Sequence, residues 1–143
     1  MQVENVGNLD DVLKLSLEKS EHCIKAAKIL QGNEFFEDAV SRAYYGIFWA
    51  VETVHILNGQ HIKTHKEAIG RFNRDYVHTG IFPKSFGEKL KKASKSRERC
   101  DYSTNLNASA EDAEQILNFA EELFDAVKIY CEGRINGNEG KKF

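Results

Sequence analysis

The stretch Ser41-Arg42-Ala43-Tyr44-Tyr45-Gly46-Ile47-Phe48-Trp49-Ala50-Val51 constrains this chain more than any other, because nothing from Ala43 to Val51 is charged. Phe36, Val40, Ala43, Ile47, Ala50, Val54 and Leu57 recur at alternating steps of four and three, which marks one face of an α-helix. Tyr44, Phe48 and Val51 make the other side apolar too. A helix apolar nearly all round belongs in the middle of a domain. The run is far shorter than the roughly 20 residues of a membrane span, and Arg42 and Glu52 bracket it. It reads as a core helix that other helices must enclose, with no membrane association.

The rest of the chain supplies those helices. At 143 residues it is most simply one domain with enough length to bury a core. A single Pro and the scarcity of strand-like alternation favour an all-α fold. Asn8 or Asp10 can cap a first helix running to about Gln31, with Leu9, Leu13, Leu17, Ile24 and Ala27 on one stripe. Asp10 and Asp11 stand in its first turn, where the helix dipole favours them. Gly32 is a stop and Asn33 a cap for the next helix, so the two form an antiparallel hairpin. The central helix ends near Leu57 at the turn Asn58-Gly59.

Thr64-His65-Lys66-Glu67 has the capping-box pattern and opens a shorter helix with Ala68, Ile69, Phe72 and Tyr76 inward. Thr79-Gly80 breaks it, and Pro83 stands near the start of a fourth helix, where a first-turn proline loses no bond. Phe86, Leu90 and Ala93 are its inward residues, and it ends around Cys100 to Tyr102. A polar loop over 103–107 leads to a last helix starting at Ser109. Ala113, Ile116, Ala120, Leu123, Val127 and Tyr130 form its buried stripe, and Gly133 is its expected stop. The expected organisation is a polar lead-in at 1–8, a single helical domain at 9–133, and a Gly-, Asn- and Lys-rich tail at 134–143 expected to be disordered. The fold class is an up-down antiparallel bundle of four to five helices.

Composition narrows the chemistry. The N-terminus is acidic and polar, unlike a signal peptide. Cys23, Cys100 and Cys131 are odd in number, far apart and without CxxC or CxxH spacing, so they read as reduced thiols of a cytoplasmic protein. The net charge is only -2, but from His61 to Cys100 eleven Lys/Arg face four Asp/Glu, while the remainder carries nine against eighteen. Such a basic segment can meet phosphate or an acidic partner; equally, it can pack against the chain's own acidic helices.

Glu52-Thr53-Val54-His55 is a fragment of a di-iron carboxylate pattern, but no second Glu-x-x-His exists, and His55, His61 and His65 are spaced across a turn. We therefore expect no metal and no cofactor. Arg42 either reaches a polar site between helices or lays its stem on apolar surface with the head in water. No Gly-rich phosphate loop or Ser/His/Asp arrangement is apparent.

Four separated segments carry a family resemblance: Ser41-Arg42-Ala43-Tyr44-Tyr45-Gly46-Ile47-Phe48, the helix at His65, Gly80-Ile81-Phe82-Pro83-Lys84, and Arg97-Glu98-Arg99-Cys100-Asp101-Tyr102. In this order they resemble the HEPN family of small helical proteins and domains, over about Asp11 to Glu132. The resemblance implies a helical bundle that commonly forms homodimers. It also implies membership of a group in which many proteins are metal-independent ribonucleases, often toxins paired with a small nucleotidyltransferase antitoxin, and others are non-catalytic. The family's nuclease motif is Arg, four to six residues, then His. Its Arg matches Arg97, but Asp101 and Tyr102 stand where the His would fall, and no His follows His78. This Arg-x-x-x-Asp-Tyr form resembles a variant of small stand-alone members, and it leaves ribonuclease activity open. In members paired with nucleotidyltransferases, a Tyr near the motif can be the modified residue, a loose match for Tyr102.

Metal-free RNA cleavage needs a base for the 2′-hydroxyl, an acid for the leaving oxygen, and a cation for the phosphorane. Arg97 suits the last role, with planar donors matched to phosphate. Asp101 is one helical turn away, where pairing with Arg97 weakens it as a base. The candidate catalytic residues are Arg97, Asp101 and Tyr102. The candidate RNA- or nucleotide-phosphate contacts are Lys91, Lys92, Lys95 and Arg99, and Tyr44, Tyr45 and Phe48 are read as core aromatics. An equally open reading makes Arg97–Asp101 a pair that fixes the helix end, in a non-catalytic module for a partner protein. His65 reads as a polar group at a helix start. In a dimer, it or His78 can approach a cleft holding two copies of Arg97.

Overall fold

The computed structural model describes residues 9–102 and 109–141, with side chains placed for 9–101 and 109–134. The lead-in at 1–8, the loop at 103–107 and the end of the tail at 142–143 lie outside the described residues. The chain forms α1 (Leu9–Gly32), α2 (Phe36–Leu57), α3 (His65–Phe72) continuing into a π-helical turn (Asn73–Val77), α4 (Ser85–Tyr102) and α5 (Ala110–Lys141). All regular structure among the described residues is helical, so the all-α bundle expected from the sequence is the fold observed.

α2 is the axis. Val40, Ala43, Ile47, Ala50, Val51 and Val54 have no solvent exposure. α1 and α5 make the most extensive contacts with α2, while α3 and α4 touch it more lightly. α1 comes very close because Gly46 has no side chain: a Cβ there would stand 2.8 Å from Ile24 Cγ1 and 3.3 Å from the Ser20 carbonyl oxygen. Ser20 Oγ uses the proximity, donating to the Gly46 carbonyl at 2.7 Å. α3, the segment after it, α4 and α5 are joined by rings. Phe72 stacks on Phe82 at 5.2 Å, and Phe86 meets Phe119 edge-on at 5.3 Å.

Three local expectations are corrected. Asn33 does not start α2, whose N-cap is Phe35; its amide donates to the Ile29 carbonyl at 2.9 Å and so closes α1. Glu34 makes the turn with a positive φ of 66°. Gly133 does not stop α5, which continues to Lys141. Arg134 fastens the turn beyond it by donating to Asn58 Oδ1 and the Tyr130 hydroxyl, at 2.9 and 2.6 Å. The π-helical turn after α3 is the third difference. It widens the ladder by one residue, His78 N bonding to Asn73 O at 2.8 Å, and sets Tyr76 and Val77 inward.

Candidate functional site

α1 and α5 cover most of α2 but leave one stripe open. Arg42 and Tyr45 are exposed on it, and Phe48, Trp49 and Glu52 are half-buried. Tyr45, at 37% exposure, is therefore not a core aromatic, contrary to the sequence expectation, whereas Tyr44, at 4%, is. Arg42 keeps its head in water, the second of its two readings. Lys19 of α1 closes one edge of the stripe with its ammonium 4.6 Å from the Trp49 ring centre.

The start of α3 lies on this stripe. Thr64 caps the helix, its hydroxyl accepting from Glu67 N at 3.0 Å. That bond fixes the first turn and with it His65. The imidazole stacks on Phe48 with ring centres 3.8 Å apart, and it meets Tyr45 edge-on at 6.0 Å. It also stands 6.2 Å from the Tyr44 ring.

α4 closes the other side. Arg97 places its guanidinium carbon 4.9 Å from the centre of the same Tyr44 ring, and its Nε is 3.1 Å from Asp101 Oδ2. Ser94, one turn earlier on α4, is near enough to the Tyr44 hydroxyl to oppose the rise in its pKa. Tyr44 is thus the shared wall between His65 of α3 and Arg97 of α4.

The electrostatics follow from this packing. Burial, reinforced by the Arg97 charge, pushes the His65 pKa below its ordinary value. The positive end of α3 acts in the same sense. His65 is therefore a neutral imidazole at neutral pH, able to accept a proton. Burial raises the Tyr44 hydroxyl against the opposing pull of Arg97, so it stays protonated. Burial likewise lifts the Glu52 carboxyl, opposed by His55 and His61.

The predicted site residues separate. Arg97 and Asp101 stand together as an ion pair; the side chain of Tyr102 lies outside the described residues. The cations of α4 fall on two faces. Lys92, Lys95 and Arg99 line a groove toward α5 that they share with Glu98 and Asp112. Lys91 lines a different groove, toward α3, with Lys66, Lys84 and His78. His55 is fully buried and committed to the fold, Nε2 lying 2.8 Å from the Ala68 carbonyl and Nδ1 3.0 Å from Gln60 Oε1. Among the described residues, no three His, Cys, Asp or Glu side chains converge in a way that holds a metal ion.

His65 is the residue that sequence reasoning placed at a surface. The cap at Thr64 fixed its position in α3, but its partners come from α2 and α4. The one available signal was the outward phase of Tyr45 and Phe48 on α2.

Comparison with known proteins agrees with this architecture. The HEPN domain profile matches residues 13–130. A candidate toxin of Methanocaldococcus jannaschii, MJ0605, is 31% identical over 121 residues, covering 85% of this chain and 90% of that one. A protein of Thermotoga maritima known as a UPF0332 protein is 28% identical over 114 residues, covering 80% and 86%. The crystal structure of ST0689, an archaeal HEPN homologue, superposes with a TM-score of 0.61 at 16% identity, covering 83% of this chain and 97% of that one, a likeness of fold. With a profile match over most of its length and a relative above 30% identity, this chain belongs to the HEPN domain family.

Proposed function

We propose that the cluster of His65, Tyr44 and Arg97 binds an RNA phosphodiester and cleaves it, and that the protein acts as a toxin-type ribonuclease in the cytoplasm. The observation that carries this reading is the placement of a neutral His65 and the cationic Arg97 beside one tyrosine ring, 6.2 and 4.9 Å from the centre of Tyr44. The motif spacing along α4 lacks a His after Arg97; α3 supplies one in space.

In this reading His65 takes the proton from the ribose 2′-hydroxyl, and the resulting oxygen attacks the adjacent phosphorus in line. Arg97 donates to the phosphorane oxygens as their charge grows, and Asp101 holds the guanidinium at its angle. The bond to the 5′-oxygen breaks, that oxygen takes a proton from water, and a 2′,3′-cyclic phosphate remains. The toxin role draws on the relative described as a candidate toxin. A homodimer and a nucleotidyltransferase antitoxin as partners follow from the family resemblance. A second reading, a non-catalytic module for a partner protein, is favoured by the absence of any His after His78 in the sequence.

The test is cleavage of a mixed RNA pool by purified protein in EDTA, beside Arg97→Ala and His65→Gln. Cyclic-phosphate ends made by the wild type and lost in both variants are the expected result. A folded wild type that cuts nothing would overturn the ribonuclease reading and leave the binding module.

A further inference from the structure

α3 and α4 flank an open cleft of about 620 Å³ whose lining reaches Lys66, the neighbour of His65, and Ser94, one turn before Arg97. This is within the range of small-ligand sites. Its second wall is a single row at steps of three and four: Lys84, just before α4, then Gly87, Lys91 and Ser94 on the helix. The next member of that row is Arg97, whose guanidinium lies over the Tyr44 ring. Its α3 wall begins at Lys66, the residue after His65, and continues through Ile69 and Gly70 to Asn73. The cleft therefore leads directly to the groups proposed to act on phosphate.

Its charge is one-sided. Lys66, Lys84 and Lys91 line it with His78, against the carboxylate of Glu88. Lys84 and Lys91 lie about two helical turns apart, roughly 10 Å along α4. A lone phosphate cannot span that distance, but a chain of phosphates can. Asn73 Oδ1, also at the cleft, is buried with no hydrogen-bond partner among the described residues. Gly87 stands across from it: even a Cβ there would keep 3.5 Å from that oxygen. An unpaired acceptor beside a row of cations suits a ligand that carries both anionic groups and N–H or O–H donors. Nucleotides offer both at a fixed repeat, phosphates along the strand with ribose hydroxyls and base N–H groups between them.

We propose that the α3–α4 groove is the track that holds single-stranded RNA beside the phosphodiester at Arg97, with Lys66, Lys84 and Lys91 on its phosphates. This rests on the ribonuclease reading and deepens it: the substrate is a strand several nucleotides long, not a mononucleotide. The α4–α5 groove, with Asp112 and Glu98 among its cations, is not part of the track.

The experiment measures fluorescence anisotropy of 5′-fluorescein 2′-O-methyl oligouridylates of two and twelve nucleotides, which have no free 2′-hydroxyl to attack, in EDTA over a series of KCl concentrations. The proteins are wild type, Lys66→Gln/Lys84→Gln/Lys91→Gln, a charge-matched control in the exposed residues Lys14, Lys25 and Lys128, and Arg97→Ala, each checked for folding by circular dichroism. The expected result is that the groove variant loses about tenfold or more in affinity for the 12-mer. Its salt slope should be shallower by about 2, since each single-strand phosphate contact contributes about 0.7. The dinucleotide should be bound as by wild type, and the control should stay within about threefold of wild type for both lengths, as it removes no phosphate contact. Arg97→Ala should weaken both lengths. If the groove variant matches the control while Arg97→Ala is weak, the track is overturned and the Arg97 site stands. If folded wild type binds neither length, both are overturned. If poly-glutamate binds wild type but not the groove variant, and RNA binding is equal in the two, the groove belongs to an acidic polypeptide and the proposal is overturned.

Discussion

Gly46→Ala tests whether α1 and α2 depend on the absence of a single methyl group. The added Cβ would meet Ile24 Cγ1 at 2.8 Å, the Ser20 carbonyl oxygen at 3.3 Å and Cys23 Cβ at 3.6 Å. The first contact is too short to survive. Ile24 is buried and β-branched, so its Cγ1 cannot swing freely, and the Ser20 oxygen belongs to the α1 backbone. The helices must part slightly, which also stretches the 2.7 Å bond from Ser20 Oγ to the Gly46 carbonyl. Overpacking of this kind costs about 1–3 kcal/mol. Replacing glycine by alanine within a helix returns up to about 1 kcal/mol. The net expectation is a loss of about 1–2 kcal/mol, or a Tm lower by about 3–6 °C for a domain of this size.

The assay is urea unfolding followed by circular dichroism, with Gly70→Ala beside it. Gly70 is exposed, sits in α3, and a Cβ there meets nothing within 4 Å. It should show propensity alone, a gain of about 0.5–1 kcal/mol. The two glycines then give opposite signs for the same change. Ile24→Ala removes the atom that clashes, so in the Gly46→Ala/Ile24→Ala double variant the costs should sum to less than the singles by about 0.5 kcal/mol or more. Strict additivity, or a Gly46→Ala protein as stable as wild type, would refute the close-approach argument.

Arg97→Gln should raise the His65 pKa, because it removes the second of the two influences that hold it down; NMR titration of the imidazole reads this, and an unmoved or lowered value would break the proposed coupling. The same depressed value means that the native state binds fewer protons than the unfolded chain. Wild type should therefore lose stability relative to His65→Gln as pH falls below about 6.5 through the lower native value. Thr64→Ala deletes the cap bond to Glu67 N and should cost about 1 kcal/mol in thermal unfolding, with RNA cleavage falling further than stability because His65 shares that first turn. His55→Leu removes the buried ring contacts to the Ala68 carbonyl and Gln60 Oε1, although the latter keeps its bond from the Tyr76 hydroxyl, and should cost about 1–3 kcal/mol in urea unfolding; a cost below about 0.5 kcal/mol would show that the two contacts at 2.8 and 3.0 Å contribute little.

The bundle was legible because its signal is periodic and local. Val40, Ala43, Ile47, Ala50 and Val54 stand in phase on one helix, and every one of them is fully buried. The Arg97–Asp101 pair was legible for the same reason, being one turn apart on α4. Asn33 was misassigned because the same short amide serves either end of a helix, and only the turn with Glu34 at positive φ decides which. Gly133 was read as a stop because a local rule cannot see Arg134 tied to Asn58, a residue 76 positions away. The exposure of Tyr45 was hidden in another way. An apolar stripe states what a helix can bury, and the neighbours decide which part of it is covered.

His65 shows where this limit meets the chemistry. A linear motif prescribes a cation and a base by their separation along the chain. What the reaction requires is separation in space. Here Tyr44 sets that separation, with Arg97 over its ring from α4 and His65 beside it from α3. The start of α3 is fixed by Thr64, and α3 as a whole is held against α2 by the buried bond from His55 to the Ala68 carbonyl. In the proposed reading, the helix that lacks the motif's His gains a base only through contacts made at Thr64 and Ala68, far upstream of Arg97. A residue-by-residue match at Asp101 and Tyr102 has no access to those contacts. The same reasoning makes the site sensitive to substitutions that never touch RNA, since anything that shifts α3 moves His65 while leaving Arg97 in place.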